Sequence, residues 1–376
     1  MEPRKPLAEL LLDVPTDPSY NPPMTRTPST ELRRGWTTGA CATAATKAAL
    51  QALWGGEFPS EVSITLPKGE TPVFPVAYQE QGEDWAEAGV VKDAGDDPDV
   101  THGALIRARV EPSRGGIVFA AGAGVGTVTK AGLPIAVGEP AINPVPRLMM
   151  VGIVTELAEK FGSNPDVRIT ITIPGGDKLA AKTWNPRLGI LGGLSVLGTT
   201  GIVRPFSCSA WIASIHRGVD VARAADEPHV AGSTGSTSEA TVQRLYGLPD
   251  HAMLDMGDFA GGLLKYLRKH PVARLTIGGG IGKLTKLAQG AKDLHSKRSQ
   301  VDFAQLNTWA AEAGLPDVSG SNTALEAVEI SGNALADIVA SKARAQVAEF
   351  LSATDIDVDI VVIDRAGMIL GRAGSA

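Results

Sequence analysis

Cysteine is scarce in this chain: two among 376 residues, Cys41 and Cys208. Two thiols are too few for a disulfide framework or a cysteine metal cluster, and they fit a reducing cytoplasm. Positive charge is also short, with 35 Lys and Arg against 41 Asp and Glu and a formal net charge of −6. That balance argues against a nucleic-acid binder held by a general basic surface, so any anionic partner has to be met by local donors. No apolar run approaches the roughly 18 residues of a membrane span. The Leu10-Leu11-Leu12 patch that follows Arg4 and Lys5 is broken by Asp13 and Pro15, so neither a span nor an export signal is expected. His216, His229, His251, His270 and His295 are scattered without metal-ligand spacing, and no metal is expected.

What is present is ordinary globular material, 43% hydrophobic and 20% charged, long enough for two domains. Residues 1–30 hold seven prolines and few periodic apolar positions, and read as an extended or disordered leader. Residues 31–184 read as an α+β domain with antiparallel strands. Strand-like segments at 62–66 and 73–77 flank a Pro67-Lys68-Gly69-Glu70 turn, others fall at 90–91, 104–110, 117–120 and 167–173, and Asn143-Pro144 opens a helix over 144–161. From 185 to 376 the pattern becomes apolar strand, glycine turn, helix, repeated. Strands at 188–191, 229–231, 252–256, 274–277 and 358–364 alternate with helices ending at 245 and running over 263–270 and 283–295. That grammar predicts a parallel, doubly wound, Rossmann-like α/β domain, with ligands at the C-terminal ends of the strands.

The stretch Trp36-Thr37-Thr38-Gly39-Ala40-Cys41-Ala42 runs from a hydroxyl-rich turn into a helix of small residues. Thr37 or Thr38 caps its first turn. The small side chains serve either close packing on a sheet or the approach of an anion to the helix N-terminus. Lys92-Asp93-Ala94-Gly95-Asp96-Asp97-Pro98-Asp99-Val100-Thr101-His102-Gly103 crowds four carboxylates and a histidine into one loop. Such a loop is either a solvated acidic turn or a site that orders N–H groups, hydroxyls or a sulfonium, with Asp93 or His102 accepting a proton. A proline-pinned helix entry, residues 138–147, brings Glu139, Asn143 and Arg147 together. The glycine run Gly278-Gly279-Gly280-Ile281-Gly282 follows a strand and opens a helix, the setting of a nucleotide-type loop. Lys283 is followed by Leu284, so it is not an ATP-hydrolysing loop. Gly122-Ala123-Gly124-Val125-Gly126 opens no helix and instead bends a strand or brings backbone against a ligand. Cys41 and Cys208 read as structural.

Taken together, residues 35–42, 92–103, 124–133, 138–147 and 185–203 resemble, in order, the cobalt-precorrin-5B (C1)-methyltransferases of the CbiD type from anaerobic cobalamin synthesis. After Pro205, Phe206-Ser207-Cys208-Ser209-Ala210 departs from the more polar pattern of that family. The resemblance implies methylation of carbon 1 of a ring-contracted cobalt-precorrin by S-adenosylmethionine. It implies a cleft for the macrocycle between the domains, served by Thr37, Thr38, Lys92, Asp96, Asp97, Glu139, Asn143, Arg147, Arg187, Thr199 and Thr200, with Lys130 and Arg204 as further donors. Asp93, and after it His102, is the expected catalytic or substrate-orienting group. The methyl donor is expected at Gly278, Gly280 and Gly282, with Asp255 or Asp258 on its ribose. A nicotinamide-dependent reductase and a non-catalytic corrinoid-binding protein are the competing readings. No nucleic acid or membrane partner is expected, and a homo-oligomer is compatible with the sequence.

Overall fold

The computed structural model describes residues 32–374, so the leader expected over 1–30 lies outside the described residues. The small-residue helix forms over Thr38–Gly55 (α1), after a short strand Gly35–Trp36 (β1). Thr37 Oγ1 caps it, accepting from the Ala40 N–H at 3.2 Å, and Gly56 ends it in the left-handed conformation at φ 87°. The expected hairpin is Glu61–Ser63 (β2) with Val73–Pro75 (β3). Next come Tyr78–Gln81 (β4), Ala86–Val91 (β5), Leu105–Pro112 (β6), Val118–Ala121 (β7), and the two-residue strands Gly124–Val125 (β8) and Thr127–Val128 (β9). The helix Pro144–Phe161 (α2) and Val167–Thr172 (β10) follow. One five-stranded sheet runs β4-β5-β6-β10-β7, antiparallel except between β10 and β7.

Close packing explains the composition of α1. Ala44, Ala45 and Ala48 are fully buried in one core with Ala86 and Ala88 of β5 and Ala108 of β6, so small residues on both sides let helix and sheet approach. At the crossing with α2, a Cβ on Gly39 would come within 2.5 Å of the Pro146 ring. The buried Thr43 and Thr46 hydroxyls donate to the Gly39 and Ala42 carbonyls at 2.8 Å, which satisfies them inside the helix.

Residues 185–203 do not open the second domain, as their glycine turns suggest. After the helix Gly176–Ala180 (α3), Ile190–Leu191 (β11), Gly193–Leu194 (β12) and Ile202–Val203 (β13) pair with β9, β8 and β1 of the first half. Gly192, Gly198 and Gly201, at φ 86°, 137° and 79°, turn the chain too often for a strand long enough to enter a sheet interior. The change of grammar comes at residues 204–207 instead of 184–185.

The second half comprises Cys208–Ala224 (α4), His229–Ser233 (β14), Ser236–Tyr246 (α5), Met253–Asp255 (β15), Ala260–Leu267 (α6), Arg274–Gly280 (β16) and Ile281–Ala288 (α7). Phe303–Glu312 (α8), Ala324–Ser331 (α9), Asn333–Phe350 (α10), Asp357–Ile363 (β17) and Ile369–Ala373 (β18) complete it. Its sheet runs β15-β14-β16-β17-β18, parallel except for the last strand. In chain order this is 2-1-3-4-5 with a reversed edge, a doubly wound order that differs from the 3-2-1-4-5-6 of the dinucleotide-binding Rossmann fold. The order reverses between β14 and β16. Cover is lopsided: α4, α6, α7, α8, α9 and α10 share the large core with Leu275, Ile277 and Ile360, while α5 alone covers Ala231, Met253 and Val361. Helices α8 to α10 and strand β18 were not expected, and the helix placed over 283–295 stops at Ala288, before Gly290 at φ 90°.

Ala45→Leu is expected to overpack the α1 seam and cost about 1–3 kcal/mol, seen as a lower urea midpoint with unchanged slope. Glu156→Ala, whose largely exposed side chain makes only the outlying 3.4 Å pair with Lys47, should stay within about 0.5 kcal/mol. Equal midpoints for the two variants would contradict the packing account.

Candidate functional site

Four of the segments singled out in the sequence converge at the starts of α1 and α2. The Trp36 N–H donates to Asp93 O at 2.7 Å, Thr37 N–H to Gly201 O at 3.0 Å, Gly39 N–H to Leu197 O at 2.9 Å, and Asn143 N–H to Val196 O at 2.9 Å. Gly35 lies so close to the acidic loop that a Cβ there would be 2.0 Å from Ala94 C. This convergence consumes the α1 N-terminus. With Thr37 Oγ1 on Ala40 and Leu197 on Gly39, and with Thr37 and Thr38 exposed by only 7% and 4%, the helix end is closed by protein and is not the anion site considered for it. Cys41 is buried in the same place, and burial pushes its thiol up to about 12, so it is unreactive.

The acidic loop solves its own repulsion. The Arg33 guanidinium forks onto Asp93, whose Oδ1 also accepts from the Gly95 N–H at 2.9 Å. Asp96 takes the Arg33 N–H at 2.6 Å, Asp97 the Phe206 N–H at 2.8 Å, and Asp99 the Lys92 ammonium at 2.6 Å together with the Thr101 N–H and hydroxyl. Lys92 is 1% exposed, so it is a structural counter-charge and not the surface donor expected of it. Bonding to Arg33 holds the Asp93 carboxyl below the usual range, which leaves it a weak base. His102 Nδ1 accepts from the Ala94 N–H at 3.1 Å; in the neutral ring the proton is then on Nε2, a donor. Neither group is arranged as a ready proton acceptor. Arg147 is likewise turned inward, bonding Ile142 O at 2.8 Å and Pro140 O at 3.1 Å and pairing with Glu139 at 3.2 Å. Asn143 caps α2 through its backbone alone. Thr199 is exposed, and the Thr200 hydroxyl bonds Ile202.

The second polar cluster lies at the C-terminal ends of β14, β15 and β16, where the strand order reverses. Lys283, in the first turn of α7, donates to Thr234 O at 2.9 Å and lies 3.1 Å from Asp258 Oδ1. Arg187 reaches across from the first half and forks onto Glu239 of α5 at 2.9 and 2.6 Å. Asp255 ends β15; burial, then the nearby Glu239, pushes its carboxyl upward. The Trp211 Nε1–H donates to Asp255 O at 2.9 Å. Gly278 faces α5, where a Cβ would meet Val242 at 2.5 Å, so it serves packing and not the ligand contact expected of it; Gly280 and Gly282 have nothing within 4 Å of that position. A cavity of about 380 Å³ adjoins Gly282, lined also by Asp258, Lys283, Lys286 and His295 among others. Thr234, Glu239, Lys283 and Trp211 were missed in the sequence. The Gly232-Ser233-Thr234-Gly235 turn marked the place, but nothing in linear order ties Arg187 to Glu239.

An open crevice at the carboxyl edge of a parallel sheet, bridged by an arginine from a loop of the first half, defines an α/β protein organised to bind a small molecule. Residues 25–205 match the CbiD family and residues 293–374 the CbiD C-terminal domain. The chain is 60% identical over 352 residues to the cobalt-precorrin-5B C(1)-methyltransferases of Brucella anthropi and Brucella canis, covering 91% of this chain and 96% of each relative. It is also similar to the cobalamin biosynthesis protein CbiD of Archaeoglobus fulgidus, whose crystal structure aligns with 28% identity and a TM-score of 0.40 over 75% of this chain and 85% of that one. The chain belongs to the CbiD family.

The Lys92–Asp99 pair yields a pH test. Burial alone would raise the Asp99 carboxyl, but Lys92 and Thr101 bring it below its ordinary value. A depressed folded-state value contributes stability above the unfolded value of about 4, and that contribution is lost as pH falls through the folded value. Asp99→Asn should cost about 3 kcal/mol at pH 7, because Lys92 stays buried without its counter-charge. The gap to wild type should narrow toward about pH 3. Urea titrations at the two pH values check this, and a gap that does not change with pH would refute it.

Proposed function

We propose that this chain transfers a methyl group from S-adenosylmethionine to carbon 1 of cobalt-precorrin-5B, in cobalamin biosynthesis. The observation that carries the reading is the 60% identity to relatives named for that reaction, sustained over 96% of their length. S-adenosylmethionine supplies an electrophilic methyl on a sulfonium, so the protein's task is chiefly to hold two reactants in line. The crevice between β14 and β16 suits the donor: the backbone at Gly280 and Gly282 is open, Lys283 offers a cation, and Asp255 and Asp258 offer acceptors for ribose hydroxyls.

The macrocycle belongs, on this reading, between that crevice and the converged loops of the first half, within reach of Thr199 and the exposed face of the acidic loop. Asp93 and His102 act there in orientation: a carboxylate kept ionised by Arg33 and a ring N–H are suited to ordering a substrate's polar groups. Arg187 does not hold substrate in this scheme. Its fork onto Glu239 sets the first half against α5, and so fixes the spacing across the cleft.

Incubation with cobalt-precorrin-5B and isotopically labelled methyl donor should add one methylene to the product mass and carry the label. No mass gain, or calorimetric binding of NADH in place of S-adenosylhomocysteine, would overturn the assignment. Gly280→Val tests the donor site. Gly280 has an ordinary extended backbone at φ −66° and free space about its Cβ position, so valine should fold normally yet obstruct the crevice. S-adenosylhomocysteine affinity should fall about tenfold or more, with the melting temperature unchanged. Undiminished affinity would mean that the donor binds elsewhere.

A further inference from the structure

The chain that joins the halves carries an unexplained cost. Phe206 has a left-handed backbone at φ 56°, one of two non-glycine residues with positive φ among the described residues, and its side chain is 66% exposed. A left-handed backbone is unfavourable for an L-residue, and a phenyl ring in water forgoes its burial. The conformation is nevertheless held: the Phe206 N–H is bonded to Asp97 Oδ1 at 2.8 Å, and Pro205 stiffens the approach. One turn beyond the α4 cap Ser207, Trp211 is 45% exposed and equally fixed, its Nε1–H on Asp255 O and its ring against Gly257 and Phe259. Two residues before Phe206, Arg204 is exposed and makes no ion pair among the described residues.

These features lie where both polar clusters end. Asp97 belongs to the acidic loop and Asp255 to the β15 edge, so Phe206 and Trp211 are each tied by one hydrogen bond to one wall of the cleft. Between the two walls stand these two exposed rings, and beside the carboxylates of Asp97 and Asp255, which make no ion pair among the described residues, Arg204 is an exposed guanidinium that makes none either. A ligand matched to this has a flat apolar face and a carboxylate rim.

We infer that Phe206, with Trp211, is the stacking platform for the macrocycle, and that Arg204 meets a carboxylate on its rim. The inference rests on the reading of the chain as a tetrapyrrole methyltransferase. It makes Phe206 a substrate-positioning residue whose strained backbone holds the ring out toward the cleft, and it gives a role to the segment that departs from the family's pattern.

Cobyrinic acid, a polycarboxylated corrin, serves as the probe with the full-length protein. Wild type should bind it, Phe206→Gly should bind it about tenfold more weakly, and Phe206→Trp should bind within about threefold of wild type. Glycine is at ease at φ 56°, so Phe206→Gly should melt at the wild-type temperature or above, and its affinity for S-adenosylhomocysteine should not change. Equal corrin affinity in wild type and Phe206→Gly overturns the platform while leaving the functional reading intact. A Phe206→Gly protein that melts well below wild type makes Phe206 structural and also overturns it. Failure of wild type to bind the corrin while methyl transfer proceeds overturns the platform alone; failure of both overturns the functional reading with it.

Discussion

The close seating of α1 is the constraint from which the rest of the first half follows. A helix lined with alanine, packed on strands that also present alanine, brings its N-terminus within hydrogen-bonding distance of loops that a bulkier seam would hold away. Leu197, Gly201, Asp93 and Pro146 all reach residues 36–39 because Gly35, Gly39 and Gly198 leave no side chain between the backbones. The small residues are therefore spent on convergence. They bring four segments, distant in sequence, to one spot, and the price is that the helix end itself is no longer open to a ligand.

That outcome explains what could be read from the sequence. The α1 and α2 helices, the β2–β3 hairpin and the strand–helix alternation after residue 229 were legible because periodicity and caps are local signals. The family likeness was legible because ordered segments carry it. Residues 185–203 misled because glycine turns between short apolar runs look alike whether the runs enter a new sheet or pair with an old one; only the partner strands β1, β8 and β9 distinguish these. Helices α8 and α9 also carry local signals. Asp302 caps α8, and Thr323 with Glu326 forms a capped start to α9, each visible as a polar residue ahead of an apolar run. The site was legible as segments but not as roles, because a role depends on which charge meets which, and that is set by contacts such as Arg33 on Asp93 and Arg187 on Glu239, 60 and 52 residues apart.

The fate of the basic residues bears most directly on recognition. On the proposed function an acidic protein facing a polycarboxylated substrate needs its local cations, yet Arg33, Lys92, Arg147 and Arg187 are each matched to a carboxylate of the protein itself. A paired cation inside a fold is held rigidly, and releasing it to a substrate would strand its partner at a cost of about 3–5 kcal/mol where the pair is buried. On the proposed reading such residues shape the cleft and do not contact its occupant. On the proposed reading, substrate charge is then met by cations such as Arg204 on the linker, which makes no ion pair among the described residues, and Lys283 at the crevice, which is only partly committed to Asp258. With so few charges available, discrimination has to come largely from shape. A flat ring can be distinguished from other polyanions by a rigid aromatic wall in a way that mobile lysines cannot match, because stacking requires a face and a fixed plane whereas charge alone requires neither. The left-handed backbone at Phe206 and the tethered indole of Trp211 are the two places where the structure maintains such planes against solvent.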